Sequence, residues 1–275
     1  MGRLLAFVLQ YRIGYRRKVV QDNLLRVFGE ATVQERQRIE RGFYAYLGGL
    51  LWDLLRSLKI SGDGLANHIQ VVNPEVLTQA GNDRRSLVLL TSHYGNWEWI
   101  ARRLAVDRSF QCWFVYKPLG RPWAERWLRR WRERQGLVPV PIKEVRTKLR
   151  QAFENGPHYP PIALYLGADQ SPTPHSRWIV GTFLGQRTLM YQGPEELSRA
   201  YGLKPVFIDI EPLKGGKYKV HLEEAPPRWE EEPAGFLMQW YMDRLSLQIH
   251  RSPSHWLWSH RRWKLDGLAT QVPAS

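Results

Sequence analysis

The sequence predicts an α/β fold: a helical N-terminal region packed on a mostly parallel mixed sheet flanked by helices. Three observations carry this. Beyond residue 61, apolar runs of strand length alternate with helix-length segments, the order a parallel sheet needs because its crossovers are helices. Before that point the apolar residues follow helical spacing only. Near the end, Lys214-Gly215-Gly216-Lys217 turns one strand run back on the next, so the sheet includes an antiparallel hairpin. Residues 1–61 are therefore read as the helical region and 62–275 as the α/β domain, together one compact unit.

Leu4 to Phe28 mixes apolar and basic positions and stops before Gly29, a first helix. Thr32-Val33-Gln34-Glu35 matches a capping box, in which Thr32 and Glu35 satisfy free backbone donors at the start of a second. From there Ile39, Phe43, Tyr46, Leu47, Leu50, Leu51, Leu54, Leu55 and Leu58 recur at helical spacing and read as a core stripe. The two helices are expected to pair as a hairpin against the rest. After Gly62 and Gly64, strands are expected near His68–Asn73, Ser86–Thr91, Gln111–Tyr116, Ile162–Gly167, Pro205–Glu211 and Tyr218–Glu223. Helices are expected near Trp97–Leu104, Trp123–Gln135, Glu144–Glu154, Pro194–Tyr201 and Pro233–His250.

Composition narrows the partners. A net charge of +14 predicts attraction to something anionic: nucleic acid, a phospholipid surface or an acidic carrier protein. Thirteen Trp and twelve Tyr beside so many Lys and Arg suit a membrane–water interface. The N-terminal apolar run, Leu4 to Leu9, falls far short of the roughly 20 residues a spanning helix needs. No secretory cleavage site follows it, so the chain is expected to lie on a membrane if it meets one. The single Cys112 excludes an intrachain disulfide and a multi-cysteine metal cage.

Open parallel sheets bind ligands beyond the carboxyl ends of their strands. Three polar groups fall there: His93, the Tyr116-Lys117-Pro118 segment and Asp169-Gln170. His93 and Glu98 cannot share one face of a helix, since five residues leave side chains about 140° apart. The spacing works if His93 sits in the strand-to-helix loop, Gly95 permits the turn, and Asn96 caps the helix that carries Glu98. Glu98 could then hold the imidazole in one tautomer, making His93 a general base for a hydroxyl or amine. H-x4-E also arises by chance, and a satisfied structural histidine is the competing reading. Metal binding is not expected, because H-E-x-x-H is missing and His255 and His260 have no third ligand nearby. Neither a G-x-S-x-G elbow nor a phosphate loop is present.

HYGNWE in this setting resembles the H-x4-D/E motif of glycerolipid acyltransferases, and more narrowly that of the bacterial lipid A biosynthesis (lauroyl/myristoyl) acyltransferase family. The resemblance spans nearly the whole chain. Tyr15-Arg16-Arg17-Lys18-Val19-Val20 with Asn23-Leu24 looks like that family's entry segment. Tyr116-Lys117-Pro118 stands where Y-R-P is usual, Arg134-Gln135-Gly136 lies at its arginine-bearing helix end, and Asp169-Gln170 matches its D-Q strand end. Phe183-Leu184-Gly185, Thr188, Gly193 and Lys204-Pro205-Val206 follow in order, and Trp256 to Lys264 resembles W-x-W-x-H-R-R-[FW]-K. Two departures stand out: the family's long N-terminal anchor has no equally long counterpart here, and Lys117 keeps charge but loses bidentate geometry.

The resemblance implies transfer of a fatty acyl chain from an acyl thioester to a hydroxyl of a membrane glycolipid, above all a lipid A precursor. A glycosylated phospholipid or an aminolipid is the alternative acceptor. It implies His93 as base with Glu98 orienting it, and Tyr116, Lys117, Arg132, Arg134, Asp169 and Gln170 at the substrate. The donor is carried by acyl carrier protein or coenzyme A, with no further cofactor. The expected place is the cytoplasmic face of a bacterial inner membrane, residues 1–61 nearest the lipid. Trp123, Trp127, Leu128 and Trp131 among Arg126, Arg129, Arg130, Arg132 and Arg134 read as a core stripe, a bilayer surface or a carrier-protein dock. A non-enzymatic alternative, a basic nucleic-acid-binding protein, accounts for charge and aromatics but leaves the strand-end residues unexplained.

Overall fold

The computed structural model describes residues 2–57, 60–154, 156 and 160–271. Its class is the expected one, with a helical N-terminal region on a seven-stranded, mostly parallel sheet. The first helix differs from expectation. α1 (Gly2–Phe7) passes through a π-helical turn at Val8–Arg12, breaks, and resumes as α2 (Arg17–Val27). The break falls where Gly14 and Arg16 take left-handed backbone, φ 61° and 51°, which no right-handed helix contains.

α3 (Val33–Arg56) begins at the expected capping box: the Glu35 N–H donates to Thr32 Oγ1 (3.2 Å) and the Thr32 N–H to Glu35 Oε2 (2.7 Å). Phe43, Tyr46 and Leu47 of the predicted stripe are buried, but Leu51, Leu54 and Leu55 are exposed. Leu58 lies outside the described residues. The reason is a change of inward face. Beyond Leu47 the helix turns Asp53 and Ser57 toward the protein, where Asn96 Nδ2 reaches Asp53 Oδ2 (3.4 Å) and Trp99 Nε1 donates to Ser57 Oγ (2.6 Å). α1 crosses α3 at Gly48, where an added Cβ would lie 2.4 Å from the Gly2 carbonyl oxygen. Gly48→Ala should therefore cost about 1–3 kcal/mol, read as a lowered midpoint in denaturant unfolding.

The remaining elements alternate. β1 (Ile69–Val71), α4 (Glu75–Asn82), β2 (Leu87–Thr91), α5 (Trp97–Leu104), β3 (Gln111–Tyr116), α6 (Pro122–Arg134), β4 (Leu137–Pro141), α7 (Val145–Phe153) and β5 (Ile162–Gly167) come first. A two-stranded hairpin, β6 (Trp178–Phe183) and β7 (Gln186–Tyr191), follows. Then come α8 (Gly193–Tyr201), β8 (Lys204–Leu213), β9 (Lys217–Glu224), α9 (Phe236–Arg251) and α10 (Asp266–Gln271). The large sheet runs β1-β9-β8-β2-β5-β3-β4, with only β8–β9 antiparallel. Gly215 and Gly216 make the expected turn there, both at positive φ.

Four elements, β4, β6, β7 and α4, lack the signals that mark their neighbours. β4, LVPVP, carries two prolines, which an edge strand tolerates but which hide its strand character. The β6–β7 turn places Leu184 (φ 50°) ahead of Gly185, a leucine where Asn or Gly is usual. The short α4 follows Pro74 without a side-chain cap. β2 is buried along its whole length at the centre of the sheet, which fixes the positions of its end residues.

Candidate active site

The parallel register of β2 and β5 builds the site. Thr91 lies opposite Gly167, so the residues two places further, His93 and Asp169, leave neighbouring strands side by side. His93 Nδ1 is 2.8 Å from Asp169 Oδ1, and the His93 backbone N–H donates to Asp169 Oδ2 at 3.1 Å. Trp256 Nε1 donates to the same Oδ2 at 2.9 Å. Asp169 is thus buried with each carboxylate oxygen engaged.

The loop that carries His93 is clamped on both sides. The Gly95 N–H donates to the His255 carbonyl (3.0 Å) and the Leu257 N–H to the His93 carbonyl (3.0 Å), forming a short antiparallel bridge around Tyr94 and Trp256. Tyr46 of α3 donates to the Gly95 carbonyl (2.8 Å), and Tyr241 of α9 to the Thr91 carbonyl (2.6 Å). Gly95 has φ +57°, and a Cβ there would press on Tyr218 and Ile210 at about 3 Å, so the turn demands glycine. Asn96 caps α5 as expected, its Oδ1 accepting from the Trp99 N–H at 3.1 Å.

The electrostatics suit a base. Burial pulls the His93 pKa down, but the Asp169 charge and hydrogen bond, with a smaller contribution from Glu98, outweigh it and raise the value above 6.5. Burial pushes Asp169 up, yet the imidazole and the Trp256 and backbone donors win and hold it at about 2. An ionised Asp169 accepting from Nδ1–H leaves Nε2 as the basic nitrogen. Gln170 Nε2 stands 3.3 Å from that Nε2, and the Trp97 ring lies 5.0 Å from the imidazole.

The sequence assigns the orienting carboxylate to Glu98; the structure gives that contact to Asp169. Glu98, in the first turn of α5, is taken by Arg132 of α6, whose Nε lies 3.4 Å from Oε2 and whose Nη2 bonds Oε1. The Arg132 guanidinium lies over Phe114 (4.4 Å) and Tyr116 (5.0 Å). Its Nη1 is buried and without a partner among the described residues. Glu98 acts on His93 through its charge. Tyr116 turns its hydroxyl to Glu125 of α6 and packs against Arg132. Lys117 and Arg134 are exposed, and among the described residues no side-chain hydrogen bond or ion pair joins them to the cluster of His93, Glu98, Arg132, Asp169 and Gln170. Trp256 is the site residue that no local signal marks, because nothing in W-x-W says that its indole reaches another strand end.

Among the described residues no helix is long and apolar enough to cross a membrane, and no three His, Cys, Asp or Glu side chains gather as metal ligands. No curated protein matches the chain. The family described as bacterial lipid A biosynthesis acyltransferase matches residues 1–265, which takes in every strand and the whole His93 cluster. The chain belongs to the bacterial lipid A biosynthesis acyltransferase family.

Proposed function

We propose that the protein transfers a fatty acyl chain from an acyl thioester to a hydroxyl of a lipid A-type glycolipid, with His93 as general base. The observation that carries this reading is the Asp169–His93 pair, which engages Nδ1 and turns Nε2, now facing the Gln170 amide, to the position where a proton can be accepted. The acceptor oxygen attacks the thioester carbonyl carbon while His93 Nε2 takes its proton. The tetrahedral intermediate then collapses, the carbon–sulfur bond breaks, and the proton passes from His93 to the departing thiolate. An ester and a free thiol result, and His93 is neutral again. The hydroxyl must approach Nε2 from the side where Gln170 now stands.

Arg132 is suited to an anionic group on donor or acceptor, because its Nη1 is desolvated and unpartnered while Glu98 and two rings fix its plane. A donor made in the cytoplasm and a glycolipid acceptor together place the reaction at the cytoplasmic face of the inner membrane. Acyl carrier protein and coenzyme A remain alternative thiol carriers.

The reading is tested by offering the protein a radiolabelled acyl chain on acyl carrier protein and on coenzyme A in turn, with extracted bacterial lipid, then identifying the lipid that gains label. His93→Ala should lower transfer by about 10²–10⁴-fold with unchanged circular dichroism. Undiminished transfer by that variant would remove His93 from the mechanism.

A further inference from the structure

Acyl transfer at a thioester calls for two groups: a base for the attacking hydroxyl, and a donor for the oxyanion that forms on the carbonyl carbon. In the reading above His93 is the base. The N–H groups around it are already committed. That of His93 donates to Asp169, that of Gly95 to the His255 carbonyl, and that of Leu257 to the His93 carbonyl. The Ser171 N–H donates to His260 Nε2 (3.1 Å), and the Trp256 indole N–H to Asp169. None of these five can turn to a substrate oxygen without loosening the clamp on the His93 loop.

Gln170 differs. Its side-chain amide stands 3.3 Å from His93 Nε2. With Nδ1–H given to Asp169, Nε2 carries the lone pair, so the amide is the donor in that contact. The Gln170 side chain is half-buried, and among the described residues it makes no other hydrogen bond. Its amide can therefore turn while its backbone cannot. On one side, the buried Asp169 carboxylate is bonded to His93 and Trp256. On the other, the Ser171 N–H donates to His260, and the Ser171 carbonyl accepts from the Tyr191 hydroxyl (3.4 Å). His260 is held in turn, its carbonyl accepting from Asn23 Nδ2 of α2 at 2.8 Å. Burial pushes the His260 imidazole down to about 4, so it stays a neutral acceptor for Ser171.

We propose that Gln170 is a further catalytic residue, whose side-chain N–H donates to the thioester carbonyl oxygen as that oxygen becomes an oxyanion. This role rests on the acyl-transfer reading above. The incoming hydroxyl needs the Nε2 lone pair that the Gln170 amide now takes, so the two exchange. The displaced N–H then meets a new acceptor, the carbonyl oxygen on the carbon under attack. As the acceptor oxygen bonds that carbon, the carbonyl π electrons move onto the carbonyl oxygen, and Gln170 donates to it. On collapse the electron pair returns, the carbon–sulfur bond breaks, and the amide can donate to neutral His93 again. A neutral donor suits this position, because a cation so close to Nε2 would lower the basicity of His93.

The test uses the full chain with a radiolabelled myristoyl chain on acyl carrier protein and on coenzyme A, and extracted bacterial lipid. Gln170→Met keeps the length of the side chain and removes the donor. Its kcat should fall by about 10²–10³-fold, with KM within about threefold of wild type and unchanged circular dichroism. Gln170→Glu keeps the shape, lacks the N–H and sets a carboxylate beside Nε2. It should lose at least as much kcat and move the acid limb of the pH profile to higher pH, since a carboxylate raises an imidazole pKa. A packing role alone would shift neither the split between kcat and KM nor that limb. Wild-type kcat in Gln170→Met, or a raised KM with kcat unchanged, would overturn the assignment. An unmoved acid limb in Gln170→Glu would do so too, by placing the side chain away from Nε2. Wild-type protein that moves no label from either donor would instead overturn the acyl-transfer reading, and this role with it.

Discussion

Asp169→Asn is expected to lower acyl transfer by about 10²–10⁴-fold with the fold intact. The size follows from which way the amide must face. The His93 N–H and the Trp256 indole N–H both point at Oδ2, so an asparagine keeps its oxygen there and turns its NH2 toward His93 Nδ1. The imidazole then accepts at Nδ1 and carries its proton on Nε2, the tautomer that cannot take a proton from a hydroxyl. Steady-state turnover measures the loss, and a turnover within threefold of wild type would rule out Asp169 as the orienting group.

The pH profile gives a second signature of the same variant. In the proposed mechanism His93 acts as a base only when neutral, so wild-type activity should fall as pH drops through its raised pKa. Removing the Asp169 charge takes away the largest raising influence and leaves burial to pull the value down, so the acid limb of the residual activity should move to lower pH. Stability follows the pair as well. The Asp169 contribution is complete above the ordinary 3.8 and is lost as pH falls through about 2. The His93 contribution is complete below the ordinary 6.5 and is lost as pH rises through the raised folded value. The pair therefore stabilises most between those two ordinary values.

Trp256→Ala should destabilise the protein by about 3–5 kcal/mol, the other large effect. The indole is fully buried, edge-on to Trp258 (4.7 Å), Phe183 (5.5 Å) and Trp263 (6.3 Å), so its removal opens a cavity lined by rings that cannot collapse easily. It also strips one donor from Asp169. Trp256→Phe separates the two losses: most of the packing remains, the donor goes, and turnover should fall more than stability. Denaturant midpoints and turnover measured together check this. A phenylalanine variant with wild-type turnover would reduce Trp256 to a packing residue.

The Glu98–Arg132 contact shows how a motif can be legible and its geometry misread. The H-x4-E spacing is real, and Gly95 and Asn96 do what the sequence asks of them. The expectation that Glu98 could hold the imidazole counts only along the chain, and the direct contact goes elsewhere. Arg132 arrives from α6 and takes that carboxylate, while Asp169 arrives from β5 and takes the imidazole. The exposed leucines of α3 teach the same lesson. Their helical spacing is genuine, but which side of a helix faces the core depends on what packs there, and beyond Leu47 that partner is α5 through Asp53 and Ser57.

The sequence by itself determined the α/β class, the capping box of α3, the glycine hairpin turn and the strand ends where the polar residues gather. Periodicity, caps and turn chemistry are local, and they can be read without knowing what lies alongside. Only the tertiary structure decided that Asp169 is the carboxylate bonded to His93, that Trp256 and the His255–Leu257 backbone hold the pair, and that Lys117 and Arg134 are exposed. Those contacts join residues far apart in the chain: parallel pairing of β2 with β5 sets Thr91 opposite Gly167 and so brings Asp169 to His93, and the Tyr94–Trp256 bridge brings in the segment after α9. A one-residue slip in that register would turn the partner side chain to the opposite face of the sheet.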